Sequence, residues 1–61
     1  MVHYEFIYRK LDGEIESVVI YSLDEIDSII KTKNVVQKVS LIKYEKELDS
    51  GIEIEHWGQD I

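Results

Sequence analysis

Apolar and polar side chains alternate along residues 2–10, the first segment of the chain. One side of this segment carries Val2, Tyr4, Phe6 and Tyr8, and the other carries His3, Glu5, Ile7 and Arg9. A period of two residues is typical of a β-strand. Asp12 and Gly13 follow, a pair that favours positive φ at both central positions of a two-residue type I′ turn, and residues 15–21 suit a returning strand. The pattern predicts a β-hairpin.

The two-residue turn also predicts how the two hairpin strands are aligned. It places four pairs opposite each other: Phe6 with Val19, Tyr4 with Tyr21, Ile7 with Val18, and Arg9 with Glu16 as a cross-strand ion pair. Apolar residues then face apolar residues along the hairpin. A shift of one residue would move every side chain of one strand to the other face of the sheet, so the alignment is a specific expectation.

Residues 22–34 carry the signals of a short helix. Ser22 and Glu25 have the spacing of a capping box, in which the Ser22 hydroxyl accepts from the Glu25 amide and the Glu25 carboxylate accepts from the Ser22 amide. The start of the segment is acidic, lysines stand near its end, and Asn34 is a candidate C-terminal cap. An apolar stripe at helical spacing is formed by Leu23, Ile26, Ile29 and Ile30. Because a helix of about ten residues is not stable alone, we expect this stripe to pack across the sheet.

Residues 35–46 and 52–57 predict a second hairpin, with turn-forming residues at 48–51. The first of these strands is apolar on both faces, so we expect something to cover its second face. The preferred alignment brings together Tyr44 and Ile52, Lys43 and Glu53, and Val39 and Trp57; in the alternative, Tyr44 lies opposite Ile54. Residues 58–61 are predicted to be a frayed tail.

The element order β-β-α-β-β predicts an α+β fold, an antiparallel sheet with one helix packed on one face, as a single domain over residues 1–61. The other face of the sheet has no cover. Ile7, Val18, Ile20 and part of the third strand are left over once the helix covers its own face. We therefore expect a homodimer through the sheet or its edge.

Size and composition narrow the class of protein. The 61 residues include no cysteine, which excludes a disulfide framework and a thiolate metal cluster and fits a reducing cytoplasm. The longest apolar run, residues 18–21, is far shorter than the roughly 20 residues of a membrane span, and the N-terminus lacks a signal-peptide pattern. We expect a soluble, cytoplasmic protein that is too small to enclose a deep active site.

Charge is the strongest functional indication. Thirteen acidic residues against seven basic ones give a formal net charge of −6. Such a surface repels nucleic acid, whose binders neutralise phosphates with Lys and Arg, and it attracts basic proteins. The alternative interpretation is that the acidity only keeps a small protein soluble.

Residues that could carry catalysis or hold a metal are few. His3 and His56 are the only imidazoles, and strict alternation places Glu53 and Glu55 on a strand face that His56 does not share. The strand carboxylates have no apolar pocket beside them to raise a pKa, and no glycine-rich phosphate loop is present. The sequence therefore predicts a protein that is not an enzyme and needs no cofactor or metal.

One resemblance covers about the first 48 residues. It rests on the element order and on Tyr4, Asp12-Gly13, Glu16, Ser22-Leu23, the helix ending at Asn34 and the strand at 38–46. In these features the chain resembles the short dimeric phage inhibitors of uracil-DNA glycosylase, which are acidic homodimers that imitate DNA and enclose an apolar side chain of the enzyme in a hydrophobic cage. The resemblance implies that the phosphates are imitated by Glu16, Asp24, Glu25 and Asp27, and that the cage is lined by Ile26 and Ile30.

These observations favour a non-enzymatic acidic binding module, encoded by a phage or mobile element, that blocks a DNA-binding enzyme by DNA mimicry. A structural or assembly protein whose acidity only confers solubility is the first alternative. The second is a single-strand nucleic-acid binder that stacks bases on aromatic side chains. The rings for such stacking would be Tyr4, Phe6, Tyr8 and Tyr21, although aromatic residues on one side of a hairpin also suit a core under a helix.

Overall fold

The computed structural model describes residues 2–45 and 50–58 of the chain. Its elements are β1 (His3–Lys10), β2 (Ile15–Ile20), α1 (Glu25–Thr32), β3 (Val35–Tyr44) and β4 (Ile52–His56). The strands form one antiparallel sheet in the order β2-β1-β3-β4, and the helix contacts one face, so the predicted α+β fold is confirmed. Two of the four residues of the predicted second turn, the last residue of the predicted strand before it and the last three residues of the predicted tail lie outside the described residues. No helix in the described ranges is long and apolar enough to cross a membrane.

The core lies between the sheet and the helix. Four side chains are almost fully buried there: Phe6, Tyr8, Ile20 and Leu41. The helix contributes Ile26, Ile29 and Ile30, which pack against this cluster together with Tyr4, Val18, Val35 and Trp57. The alternating pattern of β1 therefore placed the aromatic side chains correctly, because Tyr4, Phe6 and Tyr8 all contribute to the core under the helix. These three rings are not an exposed platform on which bases could stack.

The predicted alignment of the first hairpin is wrong by one residue. Opposite pairs are Tyr4 with Ile20, Phe6 with Val18, Tyr8 with Glu16 and Arg9 with Ile15. The cause is the loop, which has three residues rather than two. The Lys10 amide donates to the Glu14 carbonyl oxygen at 2.9 Å, the Gly13 amide donates to the Lys10 carbonyl oxygen at 2.9 Å, and Gly13 alone in the loop has positive φ, 92°. This is a type I turn closed by a glycine bulge.

The shifted alignment changes which residues remain outside the core. Val18 and Ile20, expected to be left over, lie on the helix side of the sheet, and Ile20 is 1% exposed. The opposite, open face instead carries Ile15 and Val19, both more than half exposed, beside the half-buried Ile7. The apolar residues that a homodimer would cover on β1 and β2 are therefore Ile7, Ile15 and Val19, and not Val18 or Ile20. The homodimer itself stays a prediction.

The helix begins three residues after Ser22, and only half of the capping box forms. The Glu25 carboxylate oxygen Oε2 accepts from the Ser22 amide at 3.1 Å, as expected, and also from the Tyr21 amide at 3.0 Å. The Ser22 hydroxyl accepts from the Asp24 amide at 3.2 Å rather than from Glu25. At the other end Asn34 has φ 55°, in agreement with its predicted role as the residue that terminates the helix.

The second hairpin contains a bulge at Ile54. Opposite pairs are Lys43 with Ile52, Ile42 with Glu53, Leu41 with Glu55 and Ser40 with His56. The preferred alignment therefore holds from Leu41 to Val39, whose carbonyl oxygen accepts from the Trp57 amide at 2.9 Å, and it is wrong at Lys43. Because Ile54 is the extra residue, Glu53 and His56 fall on the same face of the sheet.

Candidate protein-docking surface

Several carboxylates of the described residues have no basic partner. The ion pairs join Lys10 to Asp12 and Glu16, Lys43 to Glu45, and His56 to Glu53. Six further carboxylates have no lysine, arginine or histidine nitrogen of the described residues within 4.0 Å: Glu5, Glu14, Asp24, Glu25, Asp27 and Glu55. Where these six lie decides whether the acidity can serve a partner.

Glu16, the first of the predicted partner-binding residues, is already bound within the fold. It lies half-buried on the helix side of β2, where its carboxylate accepts from the Tyr8 hydroxyl at 2.9 Å and contacts Lys10 Nζ at 2.9 Å. The hydrogen bonds from Lys10 and Tyr8 hold the pKa of Glu16 below its usual value. The Arg9 partner predicted for it instead contacts Gln37 and the Gly13 carbonyl oxygen.

The lowered pKa of Glu16 predicts an acid-sensitive contribution to stability. The contribution is complete above the ordinary glutamate pKa and is lost as the pH falls through the lower folded-state pKa. Glu16→Gln should therefore make the free energy of unfolding fall less steeply between about pH 5 and pH 3. Urea unfolding at a series of pH values measures this, with Glu14→Gln, which alters a carboxylate without an ion pair, as the control. Equal pH slopes for Glu16→Gln and the unmodified chain would contradict the assignment.

The first turn of the helix holds the other three predicted phosphate mimics. Glu25 is engaged with the two backbone amides that precede the helix. Asp24 and Asp27 are exposed, and neither has an ion-pair partner in the described part of the chain. Carboxylates also stabilise a helix at this position through its dipole, which is a structural reason for their presence. Two of the four acidic residues are therefore available to a partner without breaking a contact of the fold.

Ile26 and Ile30 lie on the sheet side of the helix, packed against the core. The cage that the resemblance implies would need these two side chains to face an incoming residue. In the described structure they instead contribute to the interior of this chain. The exposed apolar side chains near the start of the helix are Leu23, 46% exposed, and Tyr21, 63% exposed.

Three rings cross the open face at the same end of the sheet. His3 stacks on Tyr44 with ring centroids 4.9 Å apart and an interplanar angle of 7°, and Tyr21 lies on the other side of His3 at 6.1 Å. We call Tyr21, His3 and Tyr44 the aromatic row. The Tyr44 hydroxyl donates to Glu5 Oε1 at 3.0 Å. Sequence reasoning placed Tyr21 on the face of Tyr4, which is wrong because the strands are shifted by one residue. The alternation did place His3 correctly on the face opposite to Tyr4.

A polar cluster lies elsewhere on the open face. Ser40 Oγ donates to Glu53 Oε2 at 2.6 Å, and His56 Nδ1 lies 2.9 Å from the same oxygen. These hydrogen bonds, with the Ser40 one first, lower the pKa of Glu53. Sequence reasoning placed Glu53 and His56 on opposite faces, which is wrong because of the bulge between them.

The order of groups in this cluster limits its chemistry. Activating a serine as a nucleophile requires the imidazole to accept the hydroxyl proton, whereas here the carboxylate lies between Ser40 and His56. Within residues 2–45 and 50–58, no group of three or more histidine, aspartate or glutamate side chains is arranged to hold a metal ion. The cluster fixes β4 against β3 through side chains.

A cavity of about 430 Å³ opens at the other end of the sheet, between the β1–β2 loop and the end of the helix. Its lining includes Lys10, Asp12, Lys33 and Asn34. Lys10 is held there by Glu16 and Asp12, so its charge is neutralised within the fold. The exposed, unpaired acidic groups of the helix start lie at the opposite end, together with the exposed ring of Tyr21 and the half-buried rings of His3 and Tyr44. That end is therefore the candidate docking surface.

Comparison with known proteins adds no relative: no protein-family model matches the chain, and no match was found among curated proteins or among solved structures.

Proposed function

We propose that this chain is a non-enzymatic acidic binding module that occupies the basic groove of a DNA-binding enzyme, with uracil-DNA glycosylase as the specific candidate. The observation that carries the proposal is the pairing of exposed, unpaired carboxylates with exposed apolar side chains at one end of the molecule. Asp24 and Asp27 supply the carboxylates, and Tyr21 and Leu23 supply the apolar surface. We call these four residues the acidic end.

The two kinds of side chain have different roles in docking. Carboxylates steer the encounter with a positively charged groove and fix the orientation of the complex. A tyrosine and its apolar neighbours, once they are buried against the partner, supply most of the affinity because they exclude water around the charged contacts. Of the six residues that the resemblance implies, the proposal therefore retains Asp24 and Asp27. It replaces Glu16, Glu25, Ile26 and Ile30, whose side chains contact other parts of the fold, with Tyr21 and Leu23.

The setting of the protein is part of the same proposal. A decoy for a DNA-repair enzyme acts where its target acts, in the cytoplasm of the cell that contains the enzyme. Encoding by a phage or mobile element follows from the resemblance to the phage inhibitors, since uracil excision from invading DNA is a reaction that such elements gain from blocking.

Charge reversal at the acidic end tests the proposal. The chain should inhibit uracil excision by uracil-DNA glycosylase, and the double variant Asp24→Lys with Asp27→Lys should weaken inhibition by at least about tenfold and reduce its dependence on salt. The reason is that two steering carboxylates become groups that a basic groove repels. The measurement is the excision rate on a uracil-containing oligonucleotide at increasing inhibitor concentration and at two salt concentrations.

The matched control is Glu14→Lys with Glu55→Lys, which changes the net charge by the same amount at exposed carboxylates outside the acidic end. It should inhibit nearly as well as the unmodified chain. Equal losses in the two double variants would show that only total charge matters. An unchanged excision rate at micromolar excess of the unmodified chain would remove the glycosylase as the partner.

A further inference from the structure

We infer that the aromatic row is the binding site for an arginine side chain of the protein partner, and that Glu5 supplies the opposite charge. The inference deepens the proposed function and rests on it, because it specifies the chemistry of the partner at a surface next to the acidic end. The row consists of Tyr21, His3 and Tyr44, and Glu5 accepts a hydrogen bond from the Tyr44 hydroxyl.

Backbone pairing builds the row from three separate parts of the chain. His3 lies opposite Tyr44 in the β1–β3 pairing, so both rings are on the same face, and Tyr21 follows directly after β2 at the same end. Tyr4, the neighbour of His3, points to the core side. The three rings therefore form a row on the open face, half-buried at His3 and Tyr44 and 63% exposed at Tyr21.

Two carboxylates accept hydrogen bonds from residues of the row. Glu5 Oε1 accepts from the Tyr44 hydroxyl at 3.0 Å, and Glu25 Oε2 accepts from the Tyr21 amide at 3.0 Å. The hydrogen bond to Glu5 raises the pKa of Tyr44. Glu5 has no ion-pair partner in the described ranges. His3 and Tyr44 cover each other's faces, so the exposed Tyr21 ring is the one on which a cation can stack. Glu5 pairs with Val19, two residues before Tyr21, so a cation on the Tyr21 ring would lie within reach of an unpaired carboxylate.

A guanidinium group fits this combination better than other ligands do. It is planar, stacks on aromatic faces and binds a carboxylate through two parallel N–H donors. A lysine ammonium offers a point charge without a stacking plane. A nucleobase would also stack on the rings, but the phosphates that accompany it would approach Glu5, Glu25 and a surface of net charge −6. The chemistry of the row thus selects arginine over both.

Peptides of equal charge test the inference. Tetra-arginine and tetra-lysine are each titrated into the full chain, and the ring signals of Tyr21, His3 and Tyr44 are followed by NMR. We expect tetra-arginine to shift these signals and to bind about fivefold more tightly than tetra-lysine. Tyr21→Leu, which removes an exposed ring, should abolish most of that preference. Glu5→Gln should weaken tetra-arginine binding severalfold, while Glu14→Gln leaves it unchanged.

Each contrary outcome is specific. Equal affinity for the two peptides would contradict an arginine-binding site at the aromatic row. A preference for tetra-arginine that survives Tyr21→Leu would contradict it as well. Oligo-dT that shifts the same ring signals more strongly than tetra-arginine would show a base-stacking surface instead. If glycosylase is inhibited and the two peptides bind with equal affinity, this inference fails alone. If glycosylase is not inhibited and the peptide preference is present, the proposed function fails alone.

Discussion

Replacing Ile20 with alanine should lower the free energy of unfolding by about 2–5 kcal/mol, the usual cost of removing a buried isoleucine side chain without refilling its space. Ile20 is 1% exposed and belongs to the cluster formed with Phe6, Tyr8 and Leu41. A 61-residue domain has little stability to spare. Thermal and urea unfolding followed by circular dichroism should therefore show a chain that is largely unfolded at 37 °C.

The neighbouring residues provide the control for this loss. Val19 is 52% exposed on the open face, so Val19→Ala should change stability by no more than about 0.5 kcal/mol. Val18, which packs against the core, is the same residue type on the opposite face, and Val18→Ala should cost clearly more than Val19→Ala. The reverse order would mean that the strands are aligned as a two-residue turn requires, with Val19 inside the core.

Replacing Gly51 with alanine should be the most damaging change outside the core. Gly51 has φ 85°, where an alanine costs about 1–2 kcal/mol of backbone strain. An added Cβ would also lie 2.6 Å from Tyr44 Cε2 and 2.7 Å from Ile42 Cγ2, so these side chains would have to move. Overpacking of this kind adds about 1–3 kcal/mol. The shift of the urea unfolding midpoint measures the total.

A substitution at Gly13 separates the backbone strain from the steric clash. Gly13 has a similar φ of 92°, but an added Cβ there meets no atom within 4 Å. Gly13→Ala should therefore show the backbone cost alone. If both variants lose the same stability, the close approach of Gly51 to Ile42 and Tyr44 contributes nothing, and the backbone at Gly51 does not cover this side of β3.

The first hairpin shows how far a sequence can specify a strand pair. The alternation at Tyr4, Phe6 and Tyr8 correctly predicted the strand and its core face. The alignment was wrong because an aspartate followed by glycine suits two loops, a two-residue turn with both residues at positive φ and a three-residue turn with only the glycine there. The difference lies in whether Leu11 joins the loop. That choice is made by burial of Val18 and Ile20 under the helix, which is a tertiary effect.

The candidate site depended more heavily on tertiary structure. Asp24 and Asp27 were named through the resemblance, and their place at the start of a predicted helix explains their acidity without showing which carboxylates are available to a partner. Nor could the engagement of Glu16 within the fold be predicted, since its partner Lys10 was set by the alignment of the hairpin. The aromatic row was invisible because its three members lie in distant segments. Only the order of strands brings His3 next to Tyr44.

The two outer strands of the sheet differ in how they would receive another polypeptide. β4 is short, carries a bulge at Ile54 and presents Glu53 and Glu55, features that discourage backbone pairing with a further chain. β2 continues for six residues without a register shift, with Glu16 as its single charged residue. Fibril growth by strand addition needs two edge strands on every subunit that can pair with a further chain, and the described part of this chain provides one. Strand addition through β2 would therefore end with two chains, and the acidic rim at β4 keeps such a pair from extending into a filament.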